Sequence, residues 1–249
     1  TEKSFLESHL DLLKEAGIDP NVIIPSSVAL ANLWKEVSSD EQEPFAIVDF
    51  GESETSLCVI HNGDIRYGRA WTQGSSALTQ AIQDGLQLSP TLAREKKEKE
   101  ANLQPAPTPG GDSEQEMIAN LLVRALGPVV GGIRQSLLSV SKSLDLTVRK
   151  IYLCGKASRL QGFDRFVADE LRVEVQPITL RGPVGSLLEA EGQDPATSAT
   201  SLGLAYHAVR EKAASRLNLR TGEYTYVSER AELKRQAFSL GIMAGVLLL

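Results

Sequence analysis

Cysteine and histidine are scarce, with two of the first and three of the second in 249 residues. Cys58 and Cys154 are too few for a disulfide framework and too far apart in sequence for a close metal-type pair. His9, His61 and His207 have no carboxylate or cysteine partner at a telling spacing, so no metal site is expected. Positive charge is also short: 26 Lys and Arg stand against 32 Asp and Glu, a net charge of −6. That balance argues against general nucleic-acid binding, which needs a basic face. A GxSxG nucleophile motif is missing, and no Ser-His-Asp arrangement suggests itself. Aromatic residues make up 5%, and Trp34 and Trp71 read as core or sheet-face residues. No signal peptide opens the sequence, and residue 1 is Thr rather than Met.

Apolar residues make up 42%, enough for a buried core and too many for whole-chain disorder. Residues 236–249 read QAFSLGIMAGVLLL, fourteen residues without a charge. A membrane span needs about 20 apolar residues, so this run reads as the start of a transmembrane helix. Gly241 and Gly245 suit a membrane helix better than a soluble one. Residues 210–235 hold seven basic and four acidic residues, and such flanks stay on the cytoplasmic side. The body is therefore expected in the cytoplasm. With Thr1 at one end and an apolar run stopping at Leu249, the sequence reads as a fragment cut at both ends.

Along the chain, Ser4 is expected to cap a helix that Gly17 ends. A short strand is expected over 22–24, between Pro20 and Pro25, and a helix over 26–37. Three β runs follow, at 45–49, 55–60 and 65–71, the last two joined by an Asn62-Gly63 hairpin. A helix is expected over 74–86. Residues 94–100 (REKKEKE) read as a solvated helix face. Residues 104–112 (QPAPTPGGD) read as an exposed loop or linker, with a docking role open. Ser113 is expected to cap a long helix reaching residue 144, kinked or broken at Gly127-Pro128 and Gly131-Gly132. A strand over 150–154, helices over 163–171 and 196–213, a short strand over 173–176 and an extended segment over 217–227 complete an α/β chain.

Two stretches could carry chemistry. The first is the turn Asp49-Phe50-Gly51-Glu52-Ser53-Glu54-Thr55. There a glycine lets backbone N–H groups approach a phosphate, a threonine can bind it, and an aspartate can hold a metal-bound water. The second is the Gly155 turn after the strand over 150–154. Each has a bland alternative. Asp49 reads first as a turn residue bonding backbone N–H groups, Thr55 as a strand residue and Lys156 as a solvated loop lysine, ahead of their functional roles. Cys58 and Cys154 read as small core residues.

In this order and about a hundred residues apart, Asp49-x-Gly51-x-x-x-Thr55 and the Gly155 turn resemble the second phosphate loop and the adenosine loop of actin-like ATPases. The FLESHLDLLKEAGI helix, the ALANL helix, the VDFG strand, the NGD hairpin and the GSSALT helix are closer still to the pilus-and-secretion branch. The ending RLNLRTGEYTYVSERAELKRQ, running into the apolar segment, is similar to the type II secretion system protein L family, itself related to the type IV pilus assembly M protein.

The resemblance implies a partial actin-like (ribonuclease H-like) fold. Residues 1–40 would end the first actin-like subdomain and 41–213 would form the second, with a short insert near 86–112. A juxtamembrane linker over 214–235 and a truncated span over 236–249 would follow. It implies a scaffold in the bacterial inner membrane that recruits the secretion ATPase through that enzyme's N-terminal domain. It further implies partnership with the type II secretion membrane protein M, a homodimer, and lipid contact through the span. Asp49, Gly51, Thr55 and Gly155 would line a degenerate nucleotide site, with no cofactor and no metal held.

The departures from the ATPase pattern carry that last expectation. Glu52 and Glu54 put two carboxylates where phosphate oxygens would sit, and like charges about 4 Å apart repel by about 1 kcal/mol in water. Lys156 replaces the second glycine of the adenosine loop, and Gln161 stands where a proline is usual. The competing readings are a nucleotide-binding M relative from a type IV pilus system and a sugar or acetate kinase of the same superfamily.

Overall fold

The computed structural model describes residues 3–37, 41–104, 114–180, 190–209 and 217–227, together with 186 and 188. The chain divides into two compact units, Pro25–Ser215 and a smaller one built from Thr1–Ile24 with Arg216–Leu249. Residues 105–112 of the loop expected over 104–112, the Ser113 cap and the apolar run over 236–249 lie outside the described residues.

The larger unit is a five-stranded sheet covered by helices on both faces. Its strands are β1 (Phe45–Phe50), β2 (Thr55–His61), β3 (Asp64–Trp71), β4 (Lys150–Cys154) and β5 (Glu174–Pro177), in the order β3-β2-β1-β4-β5. β1, β2 and β3 form an antiparallel meander, while β4 runs parallel to β1 and β5 parallel to β4. The β2–β3 turn forms as expected: Asn62 and Gly63 have φ of +54° and +73°. Positive φ at both central residues is the tight hairpin geometry that matches strand twist.

β1 reads as a continuous apolar run because both of its faces are covered. Ala46, Val48 and Phe50 join one core with helices α3 (Ser75–Leu86), α4 (Pro90–Lys99), α5 (Glu114–Leu144) and α6 (Phe163–Leu171). Phe45 and Ile47 join the other with α2 (Ser26–Val37) and α7 (Pro195–Val209). Both cysteines are buried in this second core, as is Trp34, whose ring packs on Phe45 and Tyr152. Burial pushes the Cys58 thiol up to about 12, so it stays protonated at neutral pH.

Three expectations need correction. Of the kink or break expected in α5, the break does not occur at its glycines or at Pro128: the helix runs continuously for 31 residues. Gly127 and Pro128 lie on its exposed side, where a carbonyl left without its usual donor can meet water. Gly132 serves packing instead, since a Cβ there would meet the Trp71 indole Nε1 at 2.5 Å. Residues 94–100 are not uniformly solvated, because Lys97 is buried.

The third correction belongs to the smaller unit. Residues 22–24 form no strand. Instead, Ile23 N–H donates to the Asn218 side-chain oxygen (3.1 Å), and Leu219 N–H donates to Ile23 O (2.8 Å). In that unit α1 spans Lys3–Glu15 with Ser4 inside it, and Gly17, with φ of +75°, lies in the turn after its end. Residues 217–227 hold no strand, only a 3-10 turn at Gly222–Tyr224.

Candidate functional site

The two expected loops meet at the carboxyl ends of β1 and β4. Asp49 pairs with Cys154 across the parallel ladder, so both turns leave the sheet side by side. Gly155 brings them into contact. Its φ of +87° and ψ of 174° lie in a region that only glycine occupies readily. A Cβ there would collide with Asp49 Oδ1 and with the Phe50 carbonyl. The Gly155 N–H donates to Ala196 O (3.0 Å) at the start of α7.

The expected site residues are therefore neighbours, and several of their polar atoms have protein partners. Thr200 Oγ1 donates to Asp49 Oδ2 at 2.5 Å. Burial raises the Asp49 carboxyl above the ordinary range, the Thr200 bond opposes this, and the Glu54 charge adds to it. Thr55 is fully buried, and its hydroxyl donates to Gln73 O (2.7 Å). The Gly51 and Glu52 carbonyls accept the N–H groups of Ser75 and Ser76 at the start of α3, both at 2.9 Å. Those helix-terminal donors, suited to an anion, are aimed at the turn itself.

The glutamates do not stand together as expected. Glu54 Oε1 accepts from Ser26 Oγ (3.3 Å). Glu52 Oε2 lies 3.0 Å from Lys156 Nζ, so the two turns are joined by an ion pair. The hydrogen bond from Lys156 is the main cause holding the Glu52 carboxyl below its ordinary range. Lys156 is thus neither a free anion site nor a merely solvated lysine.

Beside this pair is a cavity of about 540 Å³ that sequence reasoning missed. Four of its lining residues are cationic (Arg94, Lys97, Lys156, Arg159) and two acidic (Glu52, Glu98). Lys97 Nζ donates to Ser75 O (3.0 Å) and Ser75 Oγ (2.8 Å), tying α4 to the start of α3. Burial pushes its ammonium down, and the Glu52 charge opposes that. Arg159 Nε meets Asp194 Oδ2 (2.8 Å), and Asp194 Oδ1 accepts the Ala196 N–H (2.9 Å) at the start of α7. A signal for Lys97 was present, because buried Ala93 and Ala101 flank it at four-residue spacing. The Thr200 contact, 151 residues from Asp49, left no local signal.

Residues 1–182 match the family model described as type IV pilus assembly protein PilM. The chain belongs to the PilM family. Among curated proteins none matches. Solved structures extend the likeness to the fold. The structure titled PilM-PilN type IV pilus biogenesis complex superposes with a TM-score of 0.64 at 22% identity, over 82% of this chain and 57% of that one. MreB5 of Spiroplasma citri bound to AMPPNP gives 0.60 at 16% identity, over 85% and 66%. The ethanolamine utilization protein EutJ from Carboxydothermus hydrogenoformans gives 0.51 at 20%, over 83% and 62%. This PilM-family chain has the actin-like fold and spans only 57% of the PilM-complex chain it matches.

A nucleotide is the ligand the fold leads one to test against these residues. The cavity is of ligand size, but the chemistry does not fit. Asp49 Oδ2, the Thr55 hydroxyl and the Ser75 and Ser76 N–H groups are turned to protein partners. The Glu52–Lys156 pair spans the two loops that would hold the ligand.

Proposed function

We propose that this PilM-family protein is a non-catalytic scaffold of a bacterial pilus or secretion platform, the type II system being the first candidate. Its actin-like body would recruit the secretion ATPase to the inner membrane, and the energy would come from that ATPase. One observation carries the reading. The Asp49 Oδ2 atom and the Thr55 hydroxyl, which would serve a metal-bound water and a phosphate, are bonded to Thr200 and Gln73 O, and the Glu52–Lys156 pair bridges the two loops. The sequence adds a basic juxtamembrane stretch and an uncharged apolar run. A membrane tether of that kind would raise the effective concentration of whatever the body binds. The M-type membrane protein of the type II system and a second copy of this chain are the further partners that the L-type resemblance supplies.

The pilus reading is favoured by the family match and by the PilM-PilN structure. In it, the membrane partner would be a separate chain of the PilN kind. Co-purification separates the two readings. Saturable 1:1 binding to the secretion ATPase's N-terminal domain without ATP is expected for the type II scaffold. Capture of a PilN-type protein, with ATP bound and no affinity for the ATPase domain, would replace it with the pilus reading.

A further inference from the structure

The cavity beside the Glu52–Lys156 pair is cationic on a chain whose net charge is −6. Its four cations outnumber Glu52 and Glu98, so positive charge is in local excess against the overall balance, and such an excess in a cleft focuses the field. Glu52 is neutralised by Lys156 at 3.0 Å. Arg159 gives Asp194 one of its five guanidinium N–H donors. Arg94 and Lys156 both disfavour the charge on Lys97, so the three cations share one field. The Leu160 side chain lies in the same lining.

A triphosphate needs donors converging on one point, and here the Thr55 hydroxyl and the Ser75 and Ser76 N–H groups are directed at protein acceptors. Several separate cations sharing a wall with the Leu160 side chain match a different ligand. Carboxylates carried on successive residues, with an apolar side chain among them, reproduce that pattern by charge complementarity.

We propose that this cavity receives an acidic segment of a partner protein, with its carboxylates against Arg94 and Arg159 and an apolar side chain on Leu160. The proposal rests on the scaffold reading, since the segment takes the place a nucleotide would need. Lys97 then acts as a positioning residue, fixing α4 against Ser75 so that Arg94 faces the cavity.

The test is fluorescence anisotropy of the full chain in detergent with a labelled peptide, acetyl-Glu-Glu-Leu-Glu-Glu-amide. Lys-Lys-Leu-Lys-Lys serves as the opposite-charge control, and Mg-ATP is titrated in parallel. Arg94 is exposed and is itself no partner in the Glu52–Lys156 or Lys97–Ser75 contacts, and a thermal melt checks the fold of Arg94→Glu. Saturable binding of the acidic peptide alone is expected, weakened about ten-fold by Arg94→Glu and weakened again as salt rises from about 0.1 to about 0.5 M. Failure of the acidic peptide to bind, or equal binding by the variant, overturns the proposal. If Mg-ATP also fails to bind, the scaffold reading survives that result. If Mg-ATP binds and excludes the peptide, both fall.

Discussion

Lys156 Nζ lies 3.0 Å from Glu52 Oε2, and this pair joins the turn after β1 to the turn after β4. Two positions that break the ATPase loop pattern thus complement each other. The lysine that would crowd a base neutralises the carboxylate that would repel a phosphate. Both side chains are about half exposed (64% and 44%), so their contribution to stability is small.

Glu52→Ala is expected to lower stability by no more than about 1 kcal/mol, because exposed ion pairs contribute little. The difference should fade in high salt. Urea midpoints for the two proteins at low and high salt measure this directly. A loss of several kcal/mol that persists in salt would mean that the pair is a buried structural bond, contrary to its exposure.

Gly155→Ala should behave in the opposite way. The backbone there occupies a glycine region, and the new methyl would be driven into Asp49 and the Phe50 carbonyl. A cost of about 3 kcal/mol or more is expected. It would appear as a lower urea midpoint followed by circular dichroism. Gly131→Ala on α5, where a Cβ meets nothing within 4 Å, is the matched control and should be neutral or slightly stabilising.

Much of the larger unit is legible because its signals are local. The FAIVDF run, the Asn62-Gly63 turn and the KIYLC strand each state their conformation within a few residues. The contacts that decide the site are long-range. Thr200 reaches Asp49 across 151 residues, and Asn218 reaches Ile23 across 195, so the latter replaces the strand expected at 22–24. The charged run at 94–100 misleads for a different reason. Composition describes the helix as a whole, whereas burial follows the four-residue spacing of Ala93, Lys97 and Ala101. Pro128 misleads because a proline disturbs a helix least where its neighbouring carbonyl faces water.

Asp49 gives the chain a definite pH dependence. Its carboxyl is raised in the folded protein, chiefly by burial. The folded state therefore holds more protons than the unfolded state as pH rises through and above the ordinary carboxylate range. Stability from this group is complete below that range and is lost as pH climbs through the raised value. Asp49→Asn keeps an acceptor for Thr200 and removes the buried charge. The variant should be more stable than the parent at neutral pH, and the gap should close as pH falls below the ordinary carboxylate range. Thermal melts across pH read this out. A gap that widens toward acid would show that the folded state favours the charged carboxylate.

The smaller unit rests on Arg220. Its guanidinium donates to Asp19 Oδ1 (2.6 Å), Pro20 O (2.7 Å) and Tyr224 O (2.5 Å), and only 9% of the side chain is exposed. It thereby closes residues 217–227 onto the loop after α1, and Asn218 adds bonds to Asn21 O and the Ile23 N–H. Arg220→Ala leaves two backbone carbonyls without this donor, a loss of about 1–3 kcal/mol when such groups remain buried. Because the bonds lie within one small unit, the cost should appear as local opening rather than as a lower global midpoint. Chymotrypsin cleavage at Tyr224 and Tyr226 should accelerate several-fold, with the urea transition of the larger unit unchanged. Equal cleavage rates in parent and variant would show that Asn218 alone suffices to hold the segment.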